Sequence, residues 1–210
     1  QRVHLIGLGC GGGQKDARLL RLLRDRGKEV FYTACDVSIA MVLVARQTAL
    51  AVIPDDHCFP LVCDLVTADD LPEVFEKCPA PHAPRLLTFF GMIPNFEPEL
   101  ILPKFASLMR ARDLLLFSAN LAPGPNYAAG VKRILPQYDN PLTRDWLLTF
   151  LLDLGVERND GELRFTVEDG QAGLKRVVAR FHFLQARKIR IEDEGFEFGV
   201  VESIRLFFSY

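Results

Sequence analysis

The sequence predicts an α/β fold: a mostly parallel, seven-stranded sheet with helices on both faces and antiparallel strands toward its C-terminal end. Three observations predict it. Apolar runs too continuous for half-exposed strands alternate with helical patterns over the first part of the chain. The first run empties into a glycine-dense turn, Gly7-Leu8-Gly9-Cys10-Gly11-Gly12-Gly13. After Asn120 the alternation stops, and long stretches rich in Val, Ile and Phe follow.

In order, residues 3–8 read as a fully buried strand and residues 16–26 as a helix, with Leu19, Leu20, Leu22 and Leu23 set among arginines. Gly27 falls where a left-handed helix cap is wanted. A second strand spans Val30 to Cys35, and a second helix runs near residues 38–49, closed by Pro54. Phe59 to Cys63 makes a short third strand ending in Asp64, and Leu71 to Lys77 a short helix. Arg85 to Phe90 is a fourth strand, residues 98–110 a helix, and Asp113 to Phe117 a fifth strand. Ala122-Pro123-Gly124-Pro125-Asn126 is a turn-rich break, followed by a helix from about Leu142 to Leu154. Three β-like stretches, near residues 162–167, 174–184 and 198–208, complete the pattern, with Glu192-Asp193-Glu194 as a solvated hairpin turn. One domain over 1–210 is expected, carrying a small substrate-side insertion at about 121–172.

Composition narrows the function. The chain has 210 residues, 49% of hydrophobic types, enough for a full core. A net charge of −2 without any basic run argues against nucleic acid as a partner. No apolar stretch reaches membrane-spanning length, so no membrane partner is expected. Cys10, Cys35, Cys58, Cys63 and Cys78 form an odd set without disulfide-scaffold spacing, which reads as free thiols in a reducing cytosol and hence a cytoplasmic location. His4, His57, His82 and His182 are scattered, and no metal is expected. Oligomeric state is not fixed by these features. The first residue is Gln1 rather than Met, which leaves room for residues upstream.

The glycine turn satisfies two templates, G-x-G-x-x-G of dinucleotide sites and G-x-G-x-G, which suits S-adenosylmethionine (SAM). Either way the backbone approaches a nucleoside closely, and the next helix aims its positive end at the ligand. Asp36, ending the second apolar run, is placed to accept hydrogen bonds from ribose hydroxyls. Lys15 falls in the first turn of a helix, where a cation opposes the macrodipole; a SAM carboxylate would be one reason for it, plain solvation another. Asp64, at the end of the third strand, suits recognition of an adenine amino group or a simple helix cap. Asn95, in the loop after the fourth strand, offers an acceptor and a donor that orient an amine without charge, or serves as a turn residue after Pro94.

With these pieces placed, the chain resembles the SAM-dependent amino-acid N-methyltransferases typified by the histidine Nα-methyltransferase of ergothioneine biosynthesis, whose fungal relatives methylate a prenylated tryptophan. The resemblance runs through Gly9-Cys10-Gly11 with Lys15, Cys35-Asp36-Val37-Ser38, Cys63-Asp64-Leu65, Gly91-Met92-Ile93-Pro94-Asn95-Phe96, Gln137-Tyr138-Asp139-Asn140 and Ser209-Tyr210. It implies a Rossmann-like class I methyltransferase fold with SAM as cofactor and a small-molecule substrate. By the same resemblance Gly9, Gly11, Lys15, Asp36, Ser38 and Asp64 hold SAM, with Leu65 beside the adenine. Asn95 holds the substrate's amine, Tyr138 faces its carboxylate, and Ser209 borders the far side of the pocket.

Three departures accompany the resemblance. Family members often carry an acid just before the first glycine pair, and Gly7 and Leu8 leave none here. The histidine-specific enzymes place a glutamate two residues before the serine aligned with Ser209; here that residue is Phe207, which cannot pair with an imidazole N–H, so histidine is disfavoured as substrate. The family also has a helical N-terminal segment that donates tyrosines to the pocket, and the chain here starts at Gln1. The rival readings are an NAD(P)-dependent oxidoreductase built on the same turn and a non-catalytic SAM-binding relative.

Overall fold

In a computed structural model the chain is described at all residues except Pro79, Pro81 and Asn120; the expected change of character at Asn120 thus falls outside the described residues. Two compact units emerge, Gln1–Asn120 and Leu121–Tyr210.

The first unit is a five-stranded, wholly parallel sheet in the order β3-β2-β1-β4-β5. Its strands are β1 (Arg2–Leu8), β2 (Glu29–Asp36), β3 (Leu61–Val62), β4 (Arg85–Phe90) and β5 (Leu114–Ser118). Between them lie α1 (Gln14–Asp25), α2 (Ile39–Leu50), α3 (Leu71–Glu76) and α4 (Pro98–Leu108). Alternation along β1 divides the core in two. Leu5 joins Ala17 and Leu20 of α1 and Ala45 and Ala49 of α2, whereas Ile6 and Leu8 join Phe75 of α3 and Ile101 and Phe105 of α4. Gly27 caps α1 at φ 70°, its N–H donating to the Arg24 carbonyl and that of Lys28 to the Leu23 carbonyl.

The third strand is shorter than the sequence predicts. The Phe59 N–H still donates to the Tyr32 carbonyl, but Pro60 has no N–H to continue the ladder, and regular pairing covers only Leu61 and Val62.

The second unit holds a three-stranded antiparallel sheet, β10-β7-β6, and a separate hairpin of β8 and β9. The elements are α5 (Tyr127–Tyr138), α6 (Pro141–Asp153), β6 (Gly161–Asp169), β7 (Lys175–Phe183), β8 (Arg187–Ile191), β9 (Glu194–Phe198) and β10 (Ser203–Ser209). β7 is the central strand, paired on both edges, and its Val178, Ala179, Phe181 and Phe183 are fully buried. Glu192 and Asp193 form the expected exposed turn, with Glu192 at φ 53°.

Two sequence expectations are corrected. The predicted seven-stranded sheet is a five-stranded parallel sheet plus antiparallel strands that pair among themselves, among the described residues. Helix α5 was not predicted: Gly130 and Pro136 lie inside it and mask the pattern. Gly130 is needed there because a Cβ would meet the Pro123 carbonyl oxygen at 2.6 Å.

Candidate functional site

The end of β1 forms a cradle from backbone alone. Gly9, Gly11 and Gly13 adopt φ of 61°, 51° and 74°, a region that costs any other residue strain. A Cβ on Gly11 would enter open space, so the bare backbone there faces a void. At Gly13 a Cβ would lie 2.8 Å from the Ala45 Cα, so this glycine lets α1 start directly against α2. The N-cap of α1 is Gly13, which has no side chain to cap the first turn, so the helix start meets the cavity as bare backbone.

A cavity of about 280 Å³ opens over this turn. Its walls are the stretch Leu8–Gly12, the start of α1 with Lys15 and Asp16, and Thr88, Phe90 and Met92. Lys15 stays exposed, its ammonium 5.6 Å from the centre of the Phe90 ring. Asp36 binds the turn from the neighbouring strand: the Gly11 N–H donates to its Oδ2 and the Ser38 N–H to its Oδ1, both at 3.0 Å. Each of those oxygens keeps a lone pair for a further donor. Ser38 caps α2, its hydroxyl accepting from the Met41 N–H. Gly9, Gly11 and Lys15 thus line the cavity, and Asp36 and Ser38 are tied to it through the Gly11 amide.

Asp64 and Leu65 stand elsewhere. Asp64 is exposed and accepts from the Val66 N–H at 2.9 Å, holding its own turn, while Leu65 is packed in the core with Leu71 and Phe75. Asn95 is half-buried and ends a short 3-10 turn, Ile93–Asn95, whose preceding residue Met92 lines the cavity.

The remaining two candidates meet within the second unit. The Tyr138 and Ser209 hydroxyls share a hydrogen bond of 3.2 Å, and the Tyr138 ring lies 5.7 Å from that of Phe207. A bulge between Arg205 and Phe207 sets this register, placing Phe207 and Ser209 on one face of β10.

Sequence reasoning passed over Asp16. Its side chain is 2% exposed, at the cavity wall, and accepts hydrogen bonds of 2.8 Å from the Tyr32 and Thr88 hydroxyls. Burial raises its carboxyl above the ordinary value against those two bonds and the Lys15 charge. Burial, with help from Asp36 and Asp16, likewise pushes the Cys10 thiol up to about 12, so it stays neutral. All five cysteines are free. Among the described residues no three His, Cys, Asp or Glu side chains group as a metal site, and no helix is long and apolar enough to cross a membrane.

Comparison with known proteins adds the following. The family described as histidine-specific methyltransferase, SAM-dependent, matches residues 1–141. An N-methyltransferase of Aspergillus flavus, imqF, is 28% identical over 138 residues, 66% of this chain and 37% of its own length. The chain thus spans little more than a third of that curated relative. Among solved structures, a SAM-dependent methyltransferase from Anabaena variabilis is similar at a TM-score of 0.47 and 13% identity, over 82% of this chain and 72% of its own. The methyltransferase domain of the citrinin polyketide synthase is similar at 0.43 and 16%, over 85% and 46%.

Proposed function

This chain belongs to the histidine-specific, SAM-dependent methyltransferase family, and on that premise we propose that it moves a methyl group from SAM to the amine of a small, amino-acid-like substrate. The observation that carries the reading is the glycine turn held to Asp36 beside a cavity that also presents Lys15. Those residues fit SAM: open backbone at Gly11, a carboxylate with spare lone pairs for ribose hydroxyls, and a cation for an amino-acid carboxylate. Gly9, Gly11, Lys15, Asp36 and Ser38 would hold the cofactor, and Asp64 and Leu65 are assigned its adenine end by family resemblance.

SAM, when bound, supplies an electrophilic methyl carbon and takes back the carbon–sulfur electron pair as a neutral thioether. The chain's part is positioning, and fixing donor and acceptor at attack distance is worth several kcal/mol of the barrier, on the order of 7–11 kcal/mol in well-oriented systems. An ammonium has no lone pair, so the amine must be held neutral. The Asn95 side-chain carbonyl is suited to accept one amine N–H and leave the lone pair free. By family resemblance Tyr138 is assigned to the substrate's carboxylate and Ser209 to the far side of the pocket. Phe207, beside Tyr138, favours an apolar substrate side chain over an imidazole. The N-methyltransferase of Aspergillus flavus supports amine transfer as the reaction class.

The test is calorimetry with S-adenosylhomocysteine followed by a methylation assay on histidine and on tryptophan-like amino acids. Binding should weaken about 100-fold in Asp36→Ala, which removes an acceptor from Gly11 N–H, Ser38 N–H and ribose together. Aromatic amino acids should outpace histidine by at least about tenfold. Preference for histidine, or methylation of no amine, would overturn the substrate assignment.

A further inference from the structure

Asp16 of α1 lies against Gly7, the strand position where members of the resembled family often carry an acid. Gly7 stands between Ala34 of β2 and Thr88 of β4 in the centre of the sheet, on the same face as Leu5. A Cβ built on Gly7 would overlap Asp16 Oδ2 and lie 3.1 Å from the Tyr32 hydroxyl. The Asp16 carboxylate therefore occupies the space where a side chain at position 7 would begin. A side chain at position 7 would require the Asp16 carboxylate to move.

Helix packing alone does not explain this placement. A carboxylate in the first turn of a helix gains from the macrodipole while remaining in solvent. Asp16 instead is 2% exposed at a cavity wall, at the cost of desolvation. Thr88 and Tyr32 each occupy one oxygen, and a carboxylate has about four acceptor sites, so a lone pair remains on each. Lys15, its neighbour in sequence, presents the opposite charge to the same cavity. A vicinal cation and anion suit a zwitterion, with the α-carboxylate to the lysine and the α-ammonium to the aspartate.

We propose that Asp16 substitutes for the absent strand acid and accepts the α-ammonium of the amino-acid tail of SAM, so that Lys15 and Asp16 together read the zwitterion. The assignment rests on the reading that this cavity holds SAM. It makes Gly7 a required partner: the bare strand position is what admits the helix-borne carboxylate.

The test compares two ligands by calorimetry on the full chain, S-adenosylhomocysteine, which has the amino-acid tail, and 5′-methylthioadenosine, which lacks it. Asp16→Asn keeps the shape of the side chain and removes its charge. It should weaken S-adenosylhomocysteine about 30-fold, as expected for a charge-assisted hydrogen bond, while 5′-methylthioadenosine stays within about twofold. The unchanged second ligand certifies a folded cradle. The double variant Gly7→Asp/Asp16→Ala returns the acid to the strand and should recover most of the lost affinity. Equal weakening of both ligands by Asp16→Asn, or no weakening of either, overturns the assignment and leaves Asp16 as a packing group. A wild-type chain that binds neither adenosyl ligand overturns the SAM reading itself, and this assignment with it.

Discussion

The two units make their candidate sites from different materials. In the first, the cradle is main chain: three glycines at positive φ running into a helix start, with a carboxylate holding the Gly11 amide of the turn. In the second, the Tyr138–Ser209 hydroxyl pair with Phe207 is made of side chains brought together by a helix end and a bulged strand. Backbone sites tolerate almost no substitution at the residues that bend, because no other side chain adopts those angles cheaply. Side-chain sites tolerate exchange one group at a time.

The comparison is broken most forcefully at Gly13. Valine there would force a β-branched residue to φ 74° and drive its Cβ into the Ala45 backbone. Gly13→Val should cost about 4 kcal/mol by urea denaturation, combining backbone strain with overpacking. A cost under about 1 kcal/mol would show that α1 and α2 can separate freely and that the cradle is not backbone-locked.

Acid sensitivity should separate the units next. His4 on β1 is 1% exposed, sharing a hydrogen bond of 2.7 Å with the Thr33 hydroxyl, and burial together with the Arg85 and Arg110 charges lowers it to about 4 from 6.5. Between those values the unfolded chain binds a proton that the folded chain refuses. Stability from this group is therefore complete above 6.5 and falls as pH drops toward 4, by roughly 3 kcal/mol in all. Denaturation at pH 7 and pH 4 should show that much less acid loss in His4→Gln than in wild type; identical losses would remove His4 from the account.

The smallest effect sharpens the contrast. Tyr138→Phe deletes one hydroxyl and should lower stability by about 1 kcal/mol. It should raise the amine KM and leave S-adenosylhomocysteine affinity unchanged. A matched loss of cofactor affinity would overturn the proposed assignment of Tyr138 to the substrate side.

That contrast also explains what was legible. The strands and helices of the first unit follow from apolar periodicity, and the glycine turn with Asp36 is readable because positive φ has a residue signature. Pro60 cut the third strand short, a local effect that an apolar run conceals. Helix α5 was hidden by its own Gly130 and Pro136. Asp16 was hidden differently: nothing in the sequence pattern ties it to Gly7, and only the overlap of the two in space joins them. Tyr138 and Ser209 were reached through family resemblance, since nothing in local pattern announces a contact across 71 positions through a bulge.

The closeness of Gly13 to Ala45 extends the glycine signature beyond its contiguous letters. A small residue on the second helix is as much a part of that signature as the glycines themselves. Grafting the turn onto another scaffold without its alanine would transplant a phrase and lose the grammar that lets it be spoken. A designer borrowing this cradle should move two helices, not one loop.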